Sequence, residues 1–375
     1  MNKESNPIGV LVVDDSTVMR RILATALEKN GDINIVGFAT DGIQAIDAVR
    51  KLAPDVVTLD VEMPRMDGIS ALREIRKFAP DIPIIMFSTL TQVGARATVD
   101  ALMSGASDYV GKPDASLGME QAFKVLQESL VPKIRGLATR TASRKRSGPL
   151  SRISLSEIQR SHVARSEVVA ASKTIRLSSL SVGSTSAVCI GVSTGGPEAL
   201  VRIFSELRPP LPFPVFIVQH MPAMFTSILA QRLSTLGKIP VVEGSQDLEV
   251  KEGTAYIAPG GRHMVVRKAP SSRRLLSIED TEPENSCKPS VDVTFRSVAS
   301  IYGAGALAVV LTGMGSDGLA GAKVIKEAGG EVYVQDQESS VIWGMPGSIV
   351  NAKLADKVLP LSGFAGEIIR RARVA

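Results

Sequence analysis

The C-terminal half of this chain contains the sequence Ala187-Val188-Cys189-Ile190-Gly191-Val192-Ser193-Thr194-Gly195-Gly196-Pro197, which predicts a strand, a tight turn and a helix. Its first four residues are apolar enough for a buried strand, and Pro197 suits the first turn of a helix. A serine between small residues at such a turn is typical of a G-x-S-x-G nucleophile elbow, because the glycines allow a sharp turn that projects the hydroxyl from the sheet edge. A glycine turn that only reverses the chain is the alternative.

A phosphate-binding loop is a second alternative, since Gly191 to Gly196 has the glycine spacing of a Walker motif. However, Pro197-Glu198 stands where that motif requires Lys followed by Ser or Thr. This turn also lacks the G-x-G-x-x-G pattern of dinucleotide-binding loops. The motif therefore favours a nucleophile over a nucleotide site.

A nucleophilic serine needs a base, and the chain has only three histidines, His162, His220 and His263. His220 follows the apolar stretch 214–219, a predicted strand that ends at the same sheet edge as Ser193. A third predicted strand, 306–311, runs into a glycine-rich loop that contains Asp317. We therefore predict that Ser193 attacks, that His220 takes its proton, and that Asp317 orients the imidazole.

Two other assignments compete with this one. Ser193, Asp247 and His263 follow the chain order of α/β-hydrolases, but Asp247 lies in a polar stretch typical of a surface loop. Cys287 is a possible alternative nucleophile, because thiols react well at neutral pH. Its surroundings, Asn285 to Pro289, indicate a turn without an elbow, so a free structural thiol is the favoured interpretation.

The composition indicates a globular protein in a reducing compartment. The 375 residues are enough for two domains plus connections, and 44% of them are hydrophobic. Two cysteines far apart in sequence do not form a disulfide framework. The chain shows neither an apolar run of membrane-spanning length nor the apolar core of a signal peptide. We therefore expect a cytoplasmic protein.

Polar residues follow the predicted strands of the N-terminal half, which alternates strands and helices. Asp14 and Asp15 follow one strand and Asp60 ends another, while Ser88 and Lys112 follow two more. This pattern predicts a doubly wound parallel sheet with these side chains at one edge. Three neighbouring carboxylates repel one another, and a hard divalent cation such as Mg²⁺ relieves that repulsion. Ser88 and Lys112 suit phosphoryl oxygens, so the rim can accept a phosphoryl group.

A basic, serine-rich segment separates the two halves. Residues 135–186 carry ten Lys or Arg and only two Asp or Glu, so this segment accounts for the formal charge of +5, and the remainder of the chain is at −3. Such a composition is typical of a solvated linker, although 154–172 could form a helical turn or two. We expect no nucleic-acid partner, because no helix-turn-helix pattern follows the first half.

The first half resembles a two-component receiver domain. The resemblance rests on Val12-Val13-Asp14-Asp15-Ser16, on Asp60 with Met63-Pro64 and Asp67-Gly68, and on Lys112-Pro113. It implies that Asp60 is the phosphoacceptor and that a histidine kinase is the phosphodonor. It also implies that Asp14, Asp15, Asp60 and the Glu62 carbonyl hold Mg²⁺. Ser88 stands at the position of the switch Thr or Ser, and Lys112 at that of the phosphate-binding lysine.

The second half resembles the protein-glutamate methylesterases of bacterial chemotaxis, the CheB family. The shared motifs are Ser193-Thr194-Gly195-Gly196, Gln219-His220-Met221-Pro222, Tyr256-Ile257-Ala258-Pro259-Gly260, Pro289-Ser290-Val291-Asp292, Thr312-Gly313-Met314-Gly315-Ser316-Asp317-Gly318 and Gly344-Met345-Pro346. Ser316 and Lys288 differ from the Asn and Arg frequent in that family. The resemblance predicts two doubly wound α/β domains, a flavodoxin-like receiver at 8–126 and a Rossmann-like methylesterase domain at 187–375, joined by a linker at 127–186.

The resemblance implies a phosphorylation-regulated hydrolase. Its substrates would be glutamate methyl esters on the cytoplasmic domains of chemoreceptors, with release of methanol, and receptor glutamines, with deamidation to glutamate. The Met314 N–H, with Thr194 nearby, is the expected oxyanion donor. The catalytic site is expected to need no cofactor. We expect the unphosphorylated receiver to cover Ser193. The alternatives are a phosphorylation-controlled binding module with a silent elbow, and a hydrolase of small esters.

Overall fold

The structure is a computed structural model that describes residues 7–29, 31–89, 91–113, 118–146 and 185–373. His162 and the predicted helical turns at 154–172 lie outside the described residues. The described chain forms two α/β domains, each built on a parallel sheet.

The N-terminal domain contains a five-stranded parallel sheet in the order β2-β1-β3-β4-β5. Its strands are β1 (Ile8–Val13), β2 (Ile33–Ala39), β3 (Val56–Asp60), β4 (Ile84–Ser88) and β5 (Asp108–Gly111). Its helices are α1 (Thr17–Glu28), α2 (Gly42–Leu52), α3 (Gly68–Phe78), α4 (Gln92–Met103) and α5 (Met119–Arg146). Asp14 follows β1 directly and Asp60 ends β3, so the parallel order places both at the same edge, as predicted.

Polar side chains begin the first four helices. Ser16, Asp41, Asp67 and Thr91 each accept a backbone N–H from the first turn of the helix that follows. Such caps satisfy donors that have no partner within the helix. These helices therefore begin directly after the strand-end loops, which keeps the polar edge of the sheet compact.

Helix α5 crosses the predicted domain boundary between residues 126 and 127. It begins at Met119 and continues to Arg146, and Leu126, Leu130, Ile134 and Leu137 are fully buried along one face. Their spacing of three or four residues is the spacing of one helix face. The start predicted for the linker therefore lies inside a packed helix, because this apolar stripe continues past the end of the receiver pattern.

The C-terminal domain contains a seven-stranded parallel sheet in the order β14-β13-β12-β6-β7-β9-β8. Its strands are β6 (Ala187–Val192), β7 (Val215–Gln219), β8 (Val241–Glu243), β9 (Ala255–Ile257), β12 (Ala306–Val310), β13 (Glu331–Gln335) and β14 (Lys357–Leu359). An antiparallel hairpin, β10 (His263–Lys268) and β11 (Arg274–Glu279), lies outside this sheet. The helices are α6 (Gly196–Glu206), α7 (Ala223–Leu236), α8 (Val291–Tyr302), α9 (Leu319–Glu327), α10 (Met345–Asn351) and α11 (Phe364–Ala372).

The strand order confirms the predicted α/β class and explains why three motifs meet. Strand β6 lies between β7 and β12, and every residue of these three strands is buried. When parallel strands are buried on both faces, functional side chains can reach solvent only from the loops at the strand ends. The loops that contain Ser193, His220 and Asp317 therefore meet at the carboxyl edge of the same three neighbouring strands.

Candidate functional site

The strand-to-helix turn after β6 is held by the neighbouring loops. The Ser193 N–H donates to Thr312 O at 3.0 Å, and Gln219 Nε2 donates to Ser193 O at 3.0 Å. Gly195 has φ +78°, a conformation that favours glycine. A Cβ on Gly196 would lie 2.0 Å from Gln219 Oε1, so a larger residue does not fit there. The turn has the predicted elbow shape, and Ser193 stays partly exposed.

His220 and Asp317 form a direct pair on this rim. His220 Nε2 lies 2.8 Å from Asp317 Oδ2. The other ring nitrogen, Nδ1, lies 3.7 Å from Cys287 Sγ. Within the described residues, no hydrogen bond joins Ser193 Oγ to His220. Three predicted site residues therefore share one rim, with the pair His220–Asp317 formed and Nδ1 turned toward the thiol.

Asp317 accepts six hydrogen bonds, which keep its carboxylate ionised. The donors are His220 Nε2 (2.8 Å), Ser290 Oγ (2.8 Å), Val291 N (2.7 Å), Asp292 N (3.1 Å), Gly318 N (3.0 Å) and Asn285 Nδ2 (3.3 Å). Two of the N–H groups begin α8, where the helix dipole also favours negative charge. Burial alone would raise the pKa of Asp317, but these donors hold it below its ordinary value. Asp317 is therefore ionised.

The pKa of His220 is raised above its ordinary value. Burial would lower it, but the hydrogen bonds to Asp317 and Cys287 outweigh that effect and raise it to about 9. In this arrangement the imidazole carries a proton at neutral pH and is paired with the Asp317 carboxylate. The pair can orient the ring and stabilise its cation, which are the two tasks of an acid residue in a triad.

Sequence reasoning missed a second buried carboxyl behind this pair. Asp292 is 1% exposed and accepts Gly321 N and Asn285 Nδ2, the latter at 2.7 Å. Burial raises its pKa to about 6, and the Asp317 charge adds to the shift. The motif Pro289-Ser290-Val291-Asp292 was available as a signal, but it entered the sequence analysis only as one of the motifs that carry the family resemblance. The Asp292 carboxyl links the start of α8 to α9 and to the turn that contains Asn285.

The alternative assignment to Asp247 and His263 is not supported by their positions. His263 is fully buried, and its Nδ1 accepts Ser290 N at 3.1 Å while Nε2 donates to Glu282 O at 3.0 Å. Asp247 is exposed and pairs with Arg267. Since both ring nitrogens of His263 bond to the main chain, this histidine supports the start of α8 and does not serve Ser193.

Thr194 and Met314, the predicted oxyanion residues, both touch the N-terminal domain. The Thr194 hydroxyl donates to Asp108 Oδ2 at 2.5 Å, and Asp108 Oδ1 is held by Lys133 of α5 at 2.8 Å. A Cβ on Gly136 of α5 would lie only 2.9 Å from Met314 Cε. Strand β5 therefore packs against the elbow, and helix α5 packs against the loop after β12.

Further contacts extend this interface. Gly195 N donates to Ser107 O at 3.0 Å, and the rings of Tyr109 and Phe225 stack with centroids 4.8 Å apart. Arg232 and Asp100 form an exposed ion pair at 2.6 Å. Burial raises the pKa of Tyr109. The domain contact therefore combines a ring stack with polar bonds, and it includes Thr194 and Gly195, the two residues that follow Ser193.

The acidic rim of the N-terminal domain has the donors that a hard cation needs. Asp14 and Asp60 are buried, Asp15 is exposed, and ligand atoms of all three lie within 4.8 Å of one another. Lys112 Nζ lies 2.6 Å from Asp60 Oδ2 and 3.0 Å from Asp14 Oδ2. Asp14 Oδ2 is buried and accepts no well-aligned hydrogen bond. Three carboxylates against one ammonium leave excess negative charge, so the rim fits Mg²⁺.

Burial also changes the pKa of Asp60. It raises the pKa of this carboxyl to about 6, with the Asp14 charge acting in the same direction and Lys112 opposing both. The Glu62 N–H donates to Asp60 Oδ1 at 3.3 Å, which places the Glu62 backbone beside the site. The Ser88 hydroxyl bonds to Thr98 of α4 at 2.7 Å, so it is turned toward that helix.

In the described part of the chain, none of the helices is both long enough and apolar enough to span a membrane.

The acidic rim on one parallel sheet and the serine elbow on the other define a two-domain protein in which an α/β domain with a cation-binding type of rim is joined to an α/β domain of the hydrolase class. The model of the CheB methylesterase family matches residues 188–368, and that of the response regulator receiver domain matches residues 10–123. This chain belongs to the CheB methylesterase family; it is a hydrolase with an N-terminal receiver domain.

Two relatives extend over nearly the whole chain. A protein-glutamate methylesterase/protein-glutamine glutaminase of Trichodesmium erythraeum is 44% identical over 96% of this chain and 98% of its own length. One from a Nocardioides species is 43% identical over 97% of this chain and 95% of its own. The match is therefore to both domains in the same order.

Solved structures from Thermotoga maritima match the two domains separately. The CheB methylesterase catalytic domain is 40% identical and covers 50% of this chain and 98% of its own, with a TM-score of 0.49. The response regulator domain of CheB is 42% identical and covers 36% of this chain and 98% of its own, with a TM-score of 0.33.

Proposed function

We propose that this enzyme hydrolyses glutamate methyl esters on the cytoplasmic domains of chemoreceptors, releasing methanol, and deamidates receptor glutamines to glutamate. The observation that carries the proposal is the His220–Asp317 pair, which lies on the same strand-end rim as the elbow serine. The relatives are named for both activities. One set of residues serves both reactions, because each transfers an acyl group to the same hydroxyl.

In this proposal Ser193 Oγ attacks the ester or amide carbonyl carbon, and His220 Nδ1 takes the hydroxyl proton. Nδ1 is the available nitrogen, because Asp317 occupies Nε2 at 2.8 Å. Asp317 then stabilises the imidazolium, which returns the proton to the leaving methanol or ammonia. Water, activated by the same nitrogen, hydrolyses the acyl-enzyme. The Met314 N–H, with Thr194 nearby, would stabilise the oxyanion, and such a donor is worth on the order of 3 kcal/mol.

The receiver domain would regulate this reaction through Asp60. Asp14, Asp15, Asp60 and the Glu62 carbonyl would hold Mg²⁺, and a histidine kinase would supply the phosphoryl group. The bound ion supplies positive charge that neutralises phosphoryl oxygens. Lys112 adjoins the Asp60 carboxylate at 2.6 Å and can bind a phosphoryl oxygen. Ser88 would do the same after leaving Thr98, to which its hydroxyl now bonds.

We propose that the unphosphorylated receiver restrains the elbow. Asp108 accepts the Thr194 hydroxyl, Ser107 accepts Gly195 N–H, and α5 packs against Met314. These contacts hold the residues next to Ser193 from the receiver side. Phosphorylation of Asp60 would shift the population toward an arrangement in which they are released. The compartment proposed is the cytoplasm, where a chain with two free cysteines stays reduced.

Methanol release tests the reaction and its nucleophile. Methylated receptor membranes would be incubated with wild type, Ser193→Ala and Ser205→Ala, each with Mg²⁺ and a small phosphodonor. Ser205 is a matched control, since it is an exposed serine on α6. Release by wild type and Ser205→Ala, with none by Ser193→Ala, supports the proposal. If Ser193→Ala also releases methanol, another residue is the nucleophile. If none of the three enzymes releases methanol, receptor methyl esters are not the substrate.

A further inference from the structure

The imidazole of His220 has a partner on each ring nitrogen. Asp317 lies on the Nε2 side at 2.8 Å, and the Cys287 thiol lies on the Nδ1 side at 3.7 Å. A half-turn of the ring about its bond to Cβ would place carbon atoms at both positions. The present orientation is therefore the one that gives both nitrogens a hydrogen-bond partner.

A tight turn holds the thiol in this place. Glu284 and Cys287 exchange two backbone hydrogen bonds, of 3.1 and 2.9 Å, across Asn285 and Ser286. Both central residues have positive φ, of +53° and +60°, as in the turns that close hairpins. Asn285 of the same turn donates to Asp292 and to Asp317. One rigid turn therefore contacts both members of the His220–Asp317 pair.

We propose that Cys287 is a positioning residue for His220. Its sulfur accepts the Nδ1–H of the charged ring, which keeps Nε2 facing Asp317 and Nδ1 toward the cleft. Once the ring loses its Nδ1 proton, this orientation presents the Nδ1 lone pair that a base for Ser193 requires. When Ser193 binds to Nδ1, the thiol gives up that nitrogen. The proposal rests on the proposed function, since it assigns Cys287 a task in the same reaction.

The other cysteine of the chain gives an internal comparison. Cys189 is fully buried in β6, and its thiol bonds to Leu307 O at 3.5 Å. Cys287 is only partly buried and faces a histidine that carries positive charge. A thiol beside a cationic histidine reacts more readily than one enclosed by apolar residues. A small thiol reagent should therefore modify Cys287 and leave Cys189 unmodified.

Three variants test the role by methanol release with Mg²⁺ and phosphodonor. Cys287→Ala removes the partner of Nδ1, Cys287→Ser keeps a polar partner of similar size, and Ser286→Ala changes the neighbouring residue of the same turn. We expect Cys287→Ala to lower kcat about three- to tenfold at the plateau of the pH profile, the effect of one hydrogen bond, with KM unchanged. Its acid limb should move to lower pH, because the thiol helps to raise the pKa of His220. Cys287→Ser should restore kcat to within about twofold.

Two results would overturn the proposal. In one, Cys287→Ala matches wild type in kcat and in its pH profile, so the thiol positions nothing. In the other, both Cys287 variants are inactive while their unfolding temperatures match that of Ser286→Ala, so the thiol performs chemistry itself. Ser193→Ala, measured in parallel, separates these results from a failure of the proposed function: activity in that variant would contradict the nucleophile whatever Cys287 does.

A reversible modification of wild type keeps the test decisive if Cys287→Ala does not fold. The Cys287 thiolate attacks the sulfenyl sulfur of methyl methanethiosulfonate, a methyl disulfide forms and methanesulfinate leaves. We expect methanol release to fall at least about tenfold, because the added methylthio group occupies the space beside Nδ1. Dithiothreitol should restore it, and Cys287→Ser should be insensitive. Full activity with Cys287 modified, as read by mass spectrometry, would rule out the positioning role.

Discussion

At the scale of single residues, Asp317 is the side chain on which the most contacts converge. It receives N–H groups from the start of α8 and from its own loop, and a hydroxyl from Ser290. These donors compensate for the burial of a charge, which without partners is costly. The carboxylate therefore connects three segments of the chain at the same time as it orients His220.

Replacing Asp317 by Asn should remove activity without changing the shape of the site. One carboxylate oxygen becomes an amide that faces the His220 and Val291 donors, so the imidazole loses its acceptor and takes the wrong tautomer. We expect kcat for methanol release to fall by about 10³- to 10⁴-fold. The free energy of unfolding should fall by about 1–3 kcal/mol, because two donors lose their acceptor. Methanol assays and chemical denaturation measure the two effects.

Asp247→Asn is the matched control, because Asp247 is exposed, has positive φ, a conformation that Asn tolerates, and belongs to the rejected alternative triad. Its kcat should stay within about twofold of wild type, as for a surface substitution. A large loss in Asp247→Asn together with an active Asp317→Asn would reverse the assignment of the acid.

The raised pKa of His220 makes the reaction depend on pH. The proton is held by the Asp317 carboxylate, so the neutral form that can act as a base increases as pH rises toward about 9. We expect kcat of the unphosphorylated enzyme to rise across this range, with an acid limb above the ordinary histidine pKa of 6.5. A profile of methanol release between pH 6 and about 10 tests this expectation. A midpoint at or below the ordinary value would contradict it.

At the scale of secondary-structure elements, the loop after β12 decides where Ser193 lies. Gly313 occupies a position with no room for a side chain: a Cβ there would lie 2.9 Å from Ser193 Cβ and 2.3 Å from Met345 Sδ. The loop therefore packs against the nucleophile on one side and against the start of α10 on the other. Its glycine is required by close approach, since its φ is not in the left-handed region.

Gly313→Ala should therefore displace the elbow. We expect kcat to fall about 10²-fold, since a shift on the order of 1 Å at a reacting group has this effect. Stability should fall by about 1–3 kcal/mol, because the site becomes overpacked. Gly366→Ala is the control: it lies in α11 with nothing within 4 Å of its new Cβ, and it should stabilise the helix by about 0.5–1 kcal/mol. An active Gly313→Ala enzyme would contradict this prediction, because it would show that the loop moves to accommodate the methyl group.

In the whole molecule, the two domains meet at Thr194 and Gly195, the residues that follow Ser193. The contact between Asp108 and Thr194 joins the receiver sheet to the elbow, and Lys133 of α5 fixes the same carboxylate. In the rim pair Arg232–Asp100, Arg232 is exposed and Asp100 is partly exposed. A buried charge-assisted hydrogen bond contributes more free energy to the closed arrangement of the two domains than an exposed ion pair does.

Removing the Asp108 carboxylate should therefore raise the activity of the unphosphorylated enzyme. We expect Asp108→Ala to increase methanol release without phosphodonor by about tenfold or more, the effect of a charge-assisted hydrogen bond. Phosphorylated activity should stay near that of wild type. Asp100→Ala, which breaks only the exposed pair, should change basal activity less than about twofold. Equal basal activity in Asp108→Ala and wild type would show that this contact does not regulate the enzyme.

The α/β class, the elbow and the rim positions of His220, Asp317 and Asp60 were predictable from the sequence, because apolar runs and the polar residues after them are local patterns. The contacts of Cys287 with His220, 67 positions apart, and of Asp108 with Thr194, 86 apart, became visible in the folded structure alone. It also placed the predicted start of the linker inside α5. These outcomes depend on how two sheets and a helix face pack together, and packing is decided by the whole buried surface, which no local stretch of sequence contains.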